Sequence, residues 1–157
     1  MAEDRKPALH DDLAKALAKL GIKEAEPVIR EFDLLSIPDE AEDLVRETAK
    51  KVRDRVENHA QLLEDLLQPD TSLAAMNECS YFSDEELEGI VRTYRKLMSI
   101  LRSFTIADVD GREYGKFITQ ALGEWQKQKP ALQKIAKRLQ SGWEQDQPLQ
   151  REKGYFG

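Results

Sequence analysis

The sequence predicts a single all-α domain, a helical bundle of five to six helices with a long central helix and a C-terminal helix kinked at a proline. Three observations carry this. Apolar residues recur at steps of three and four nearly throughout, and no segment alternates strictly as a half-buried strand does. The chain is 40% apolar and 34% charged, enough aliphatic surface to bury a core. Proline, glycine and capping residues punctuate the periodic stretches where helices start and stop. The 157 residues fit one domain, assigned to 1–143. A polar tail over 144–157 is expected to be either disordered or a short docking segment.

The first helix is predicted over 7–20. Pro7 suits a first helical position, where its missing N–H costs nothing. Leu9, Leu13, Ala16, Leu17 and Leu20 form one stripe. Gly21 can take the left-handed conformation that ends a helix, with Ile22 folding back as its apolar contact. A second, short helix is predicted over 26–35, with Val28, Ile29, Phe32 and Leu35 inward.

Ser36-Ile37-Pro38-Asp39 reads as a turn. The long third helix is predicted over 39–68, about 45 Å at 1.5 Å per residue. Its apolar side carries Ala41, Leu44, Val45, Thr48, Ala49, Val52, Val56, His59, Ala60, Leu63, Leu66 and Leu67. Its other side interleaves both charges, as in Glu47–Lys51 at four-residue spacing. Pro69 ends it. A short capped helix is predicted over 71–78, with Leu73 and Met76 inward.

The sharpest boundary follows. Ser83 with Glu86 three residues on is a capping box, and Phe82 with Leu87 a hydrophobic staple. The fifth helix then carries Leu87, Ile90, Val91, Tyr94, Leu97, Met98 and Leu101, and is expected to fray near Phe104. Asp108-Val109-Asp110-Gly111 reads as a turn before the last helix. That helix places Tyr114, Phe117, Ile118, Ala121, Leu122 and Trp125 inward, then in phase Leu132, Ile135, Ala136, Leu139 and Trp143. Pro130 between the two sets predicts a kink or a break.

Composition excludes several classes. No apolar run reaches the roughly 18 residues of a membrane helix, and no apolar stretch follows the first residues, so neither a membrane nor a signal peptide is expected. One cysteine, Cys79, excludes a disulfide framework and suits a reducing cytoplasm. Two histidines and one cysteine cannot build a Cys/His zinc site. Asp108-Val109-Asp110-Gly111 has the look of a calcium-loop centre, yet Ile106 and Phe117 would stand at its first and twelfth ligand positions, so neither metal nor cofactor is expected. Phosphate loops, dinucleotide fingerprints and serine elbows are missing.

Charge is uneven. Residues 1–110 carry a net charge of −10 and residues 111–143 a net of +5, within a chain of net −6. Lys116, Lys127, Lys129, Lys134, Lys137 and Arg138 make the last helix basic. Such a helix either docks on the chain's own acidic helices or meets an acidic partner or a phosphate backbone. Gly115, Thr119 and Gly123 recur every four residues and allow another helix to pack closely. Tyr155 and Phe156 are the anchors if the tail docks.

His59 follows Arg53 by six residues. This spacing resembles the arginine-to-histidine motif of HEPN ribonucleases. The resemblance implies an arginine and a histidine near a scissile phosphate, with the histidine acting on a ribose 2′-hydroxyl. On one helix Arg53 and His59 stand about 120° apart. A half-buried histidine hydrogen-bonded within the bundle is the competing reading.

The expected function is therefore non-catalytic: an interaction module or accessory subunit, with a protein partner or self-association. A backbone-binding nucleic-acid subunit is the first alternative, since small helical subunits of RNA-guided defence complexes are similar in architecture. A His59 ribonuclease is the second.

Overall fold

The structure, a computed structural model, describes residues 2–145 and 148–149, with side chains from residue 7 onward. Among the described residues it is all-α: six α-helices, one 3-10 turn and no strand. They are α1 (Ala2–Lys19), α2 (Ala25–Glu31), the turn Leu34–Ser36, α3 (Leu44–Leu67), α4 (Leu73–Cys79), α5 (Asp84–Asp110) and α6 (Tyr114–Glu144).

Several boundaries differ from expectation, each for a local reason. Pro7 lies inside α1 rather than in its first turn, because the residues before it are mostly good helix formers. The end of α1 is as expected. Gly21 has φ +84°, and the N–H groups of Gly21 and Ile22 reach the carbonyls of Ala18 and Leu17, both at 3.0 Å. This double bond pattern satisfies carbonyls the helix leaves open.

α2 stops early. Asp33 adopts φ 51°, a left-handed conformation that aspartate tolerates better than most residues. The break shifts the phase of the chain, so Leu34 is fully buried while Leu35 is 37% exposed. α3 starts five residues later than predicted. Asp43 wins the capping position, accepting the Arg46 N–H at 3.1 Å, and Ala41 stays outside the helix. Glu47 pairs with Lys50 at 3.1 Å rather than with Lys51.

In α4 the Ser72 hydroxyl accepts the Ala75 N–H at 3.2 Å. Asn77 is the buried residue there, and Leu73 is 50% exposed. The capping box forms in full: the Ser83 hydroxyl accepts the Glu86 N–H at 3.2 Å, and the Glu86 carboxylate accepts the Ser83 N–H at 3.1 Å. α5 does not fray at Phe104. That ring is buried and helical order continues to Asp110, where Gly111 at φ +69° ends it. α6 runs unbroken through Pro130. Ala136, expected inward, is exposed.

The inward residues of the long helices advance by alternating steps of three and four. On α5 they are Ile90, Thr93, Leu97, Ile100, Phe104 and Ala107. On α6 the same rhythm joins Ile118, Ala121 and Trp125 and, seven residues on, Leu132, Ile135 and Leu139. That spacing keeps one seam of each helix inward along its length.

The chain divides into two compact units, Met1–Val56 with Ile100–Glu124, and Glu57–Ser99 with Trp125–Gly157. In the first, Leu13 and Leu17 of α1, Ile29 and Phe32 of α2 and Leu34 are buried, as are Ala49, Val52 and Val56 of α3. Phe104 meets Phe117 edge-on with centroids 5.4 Å apart and packs tilted against Tyr114 at 6.1 Å. The Tyr114 hydroxyl donates to the Asp108 carboxylate at 2.9 Å. In the second unit, Ala60, Leu63 and Leu66 of α3, Ile90 and Leu97 of α5, and Trp125, Leu132, Ile135 and Leu139 of α6 form the core.

Candidate functional site

The second unit carries a groove of about 790 Å³ between α5 and α6. Its floor is apolar, made by Phe82, Ile90, Ala131 and Ile135, with Gly89 leaving the α5 side low. Ile90 and Ile135 are themselves part of the core, so the floor is held rigid from beneath. The rim is basic. Arg92 and Lys96 stand on the α5 side; Lys134, Lys137 and Arg138 stand on the α6 side. Glu85 and Glu86 are the lining carboxylates. Five cations face two anions, a net of three positive charges on a chain of net −6.

One end of the groove is fastened. The Arg138 guanidinium donates through Nε to the Tyr81 carbonyl at 3.1 Å, and the Tyr81 ring meets Trp143 edge-on with centroids 6.1 Å apart. Glu86 is committed to the cap of α5. The Ser83 backbone N–H and hydroxyl hold its carboxyl below the usual carboxylate range, with Arg138 and Lys134 adding a smaller pull. The two groove carboxylates thus sit at the α5 N-terminus, where the helix dipole favours negative charge, while Arg92 and Lys96 lie further along α5.

The basic residues singled out in the sequence divide. Lys134, Lys137 and Arg138 line the groove. Lys116 and Lys127 are exposed on α6 outside its lining. Sequence reasoning missed the α5 half: Arg92, Lys96, Gly89 and Phe82. A signal was present, since Gly89, Arg92, Thr93 and Lys96 follow one another at steps of three, one and three beside the apolar stripe.

Gly115, Thr119 and Gly123 do not act as one packing face. A Cβ on Gly115 would meet Leu20 Cδ2 at 2.5 Å, so this glycine does admit the end of α1. Thr119 turns its hydroxyl back to the Gly115 carbonyl at 3.1 Å. Gly123 faces open space. The other close approach is at Gly142, which packs against the ring of Tyr81.

Arg53 donates to the Asp54 carboxylate from Nε at 3.0 Å and from Nη2 at 2.7 Å. Its guanidinium also lies over the Phe104 ring, 4.8 Å from the centroid. His59 is half-buried and meets Trp125 edge-on at 5.1 Å. Tyr155 and Phe156 lie outside the described residues. Among the described residues, no group of three or more His, Cys, Asp or Glu side chains is placed to hold a metal ion. No helix among them is long and apolar enough to cross a membrane.

No protein-family model, curated protein sequence or solved structure matches the chain.

Proposed function

We propose that the chain is a non-catalytic binding module, an accessory subunit in the cytoplasm that holds a protein partner in the α5–α6 groove. One observation carries this reading: an apolar floor lies beneath a basic rim on a chain that is acidic as a whole. Apolar surface left open between helices supports association, and the rim adds steering and selectivity for an acidic partner. The single cysteine suits a reducing compartment.

Nucleic-acid backbone binding is the second reading, supported by the same five cations. Phosphates are drawn by cations alone and gain little from an apolar floor; the presence of Phe82, Ile90 and Ile135 favours protein.

The test is to fill the groove. Ala131→Trp should leave the thermal midpoint within a few degrees and remove the proteins that the wild-type chain captures from its native host. If the filled variant captures the same proteins as wild type, the groove is not the working surface. If nucleic acid is the captured species, the second reading replaces the first.

A further inference from the structure

We infer that the occupant of the α5–α6 groove is an acidic amphipathic helix of about three turns, donated by the partner and added beside α5 and α6. This rests on the binding-module reading above and names the chemistry of the partner. Length comes first. The lining runs from Glu85 to Lys96 on α5 and from Gln128 to Arg138 on α6. At 1.5 Å per residue these are about 16 and 15 Å, the length of about eleven helical residues.

Shape comes second. Gly89 and Ala131 are the smallest lining residues, one on each wall, and a Cβ added at Gly89 would find only Arg92 Nη2, at 3.5 Å. The axis of an added helix can therefore come close, since interaxial distance follows the size of the side chains at the contact. An apolar stripe at i, i+3 or i+4, and i+7 would seat on Phe82, Ile90 and Ile135, as helices do in grooves elsewhere.

Charge comes third and selects the occupant. Cations stand on both walls, Arg92 and Lys96 on one, Lys134 and Lys137 on the other. A helix lying between them is matched by carboxylates on both flanks of its apolar stripe. Glu85 and Glu86 occupy the α5 side at its N-terminal end, with Lys134 and Arg138 near Glu86, so the occupant's carboxylates belong toward Arg92 and Lys96 on the α5 flank and toward Lys134 and Lys137 on the α6 flank. A basic helix would meet a net like charge, five cations against two carboxylates.

The experiment uses the full chain and a fluorescein-labelled peptide of about fourteen residues, with leucines on one helical face and glutamates flanking them. Two controls share its length: one with the same composition shuffled to abolish the stripe, one with lysine for every glutamate. The acidic amphipathic peptide should bind saturably, at least about tenfold tighter than either control, and weaken as salt rises. It should gain helical circular dichroism on binding. Arg92→Glu with Lys137→Glu, both exposed or rim positions, should weaken it at least about tenfold with the thermal midpoint unchanged.

Absent saturable binding, or equal affinity for either control, overturns the inference. So does a single-stranded oligonucleotide that binds more tightly than the peptide and displaces it. Self-association in sedimentation that Ala131→Trp abolishes would give the groove to a second copy, again overturning it. If Ala131→Trp loses the captured partner while the peptide fails to bind, only the acidic-helix inference falls and the binding-module reading stands.

Discussion

Gly142 lies against the ring of Tyr81 so closely that a Cβ at position 142 would overlap three of the ring's carbons. The ring cannot withdraw freely, because the Arg138 guanidinium holds the Tyr81 carbonyl and Trp143 meets the ring edge-on. A glycine inside a helix normally costs about 1 kcal/mol relative to alanine. Here the close approach outweighs that cost.

The three glycines of α6 therefore respond differently to the same change. Gly123→Ala enters open space and should stabilise by about 0.5–1 kcal/mol. Gly142→Ala should destabilise by about 1–3 kcal/mol through overpacking. Gly115→Ala falls between them, since the end of Leu20 can shift. Urea unfolding of the three variants checks the order; a stabilised Gly142→Ala would refute the account of Tyr81.

Two serines cap helices through the same geometry. Ser72→Ala and Ser83→Ala should each lower stability by about 1 kcal/mol. Each serine also holds a carboxyl below its usual range, Ser72 that of Asp70 and Ser83 that of Glu86. Glu86 is held below the usual carboxylate range by Ser83, so its contribution is present above the ordinary glutamate pKa and is lost as pH falls through the lower folded value. Ser83→Ala should therefore shrink in effect at acid pH, measured as thermal midpoints across a pH series.

His59 packs against Trp125, which is buried. His59→Ala should cost about 1–2 kcal/mol and shift the tryptophan emission. An unchanged thermal midpoint together with loss of an RNA-cleaving activity would instead support the ribonuclease resemblance carried by Arg53 and His59.

Glu78 behaves oppositely to Glu86. Burial pushes its carboxyl up, a hydrogen bond from Trp143 opposes part of the rise, and Asp65 adds a smaller push upward. With the folded value raised, ionisation opposes folding. The penalty is full above the folded value and absent below the ordinary glutamate pKa. Glu78→Gln should raise stability at neutral pH, and the gain should vanish in acid. Denaturation at both ends of that range reads it directly.

The sequence by itself determined the all-α class, the inward stripe of α3, most of that of α6 but only Ile90 and Leu97 of that of α5, the glycine stop after α1 and the Ser83–Glu86 cap. These depend on neighbours within about one helical turn, so local spacing encodes them. Tertiary structure alone decided which of two adjacent residues turns inward after a break, as with Leu34 over Leu35, and whether a helix continues where propensity falters, as at Phe104 and Pro130. It also decided that Lys134, Lys137 and Arg138 share a groove with Arg92 and Lys96, and that Gly142 meets Tyr81. Such pairings join residues more than thirty positions apart in the chain. No periodicity within either helix specifies them, because they follow from how the helices pack.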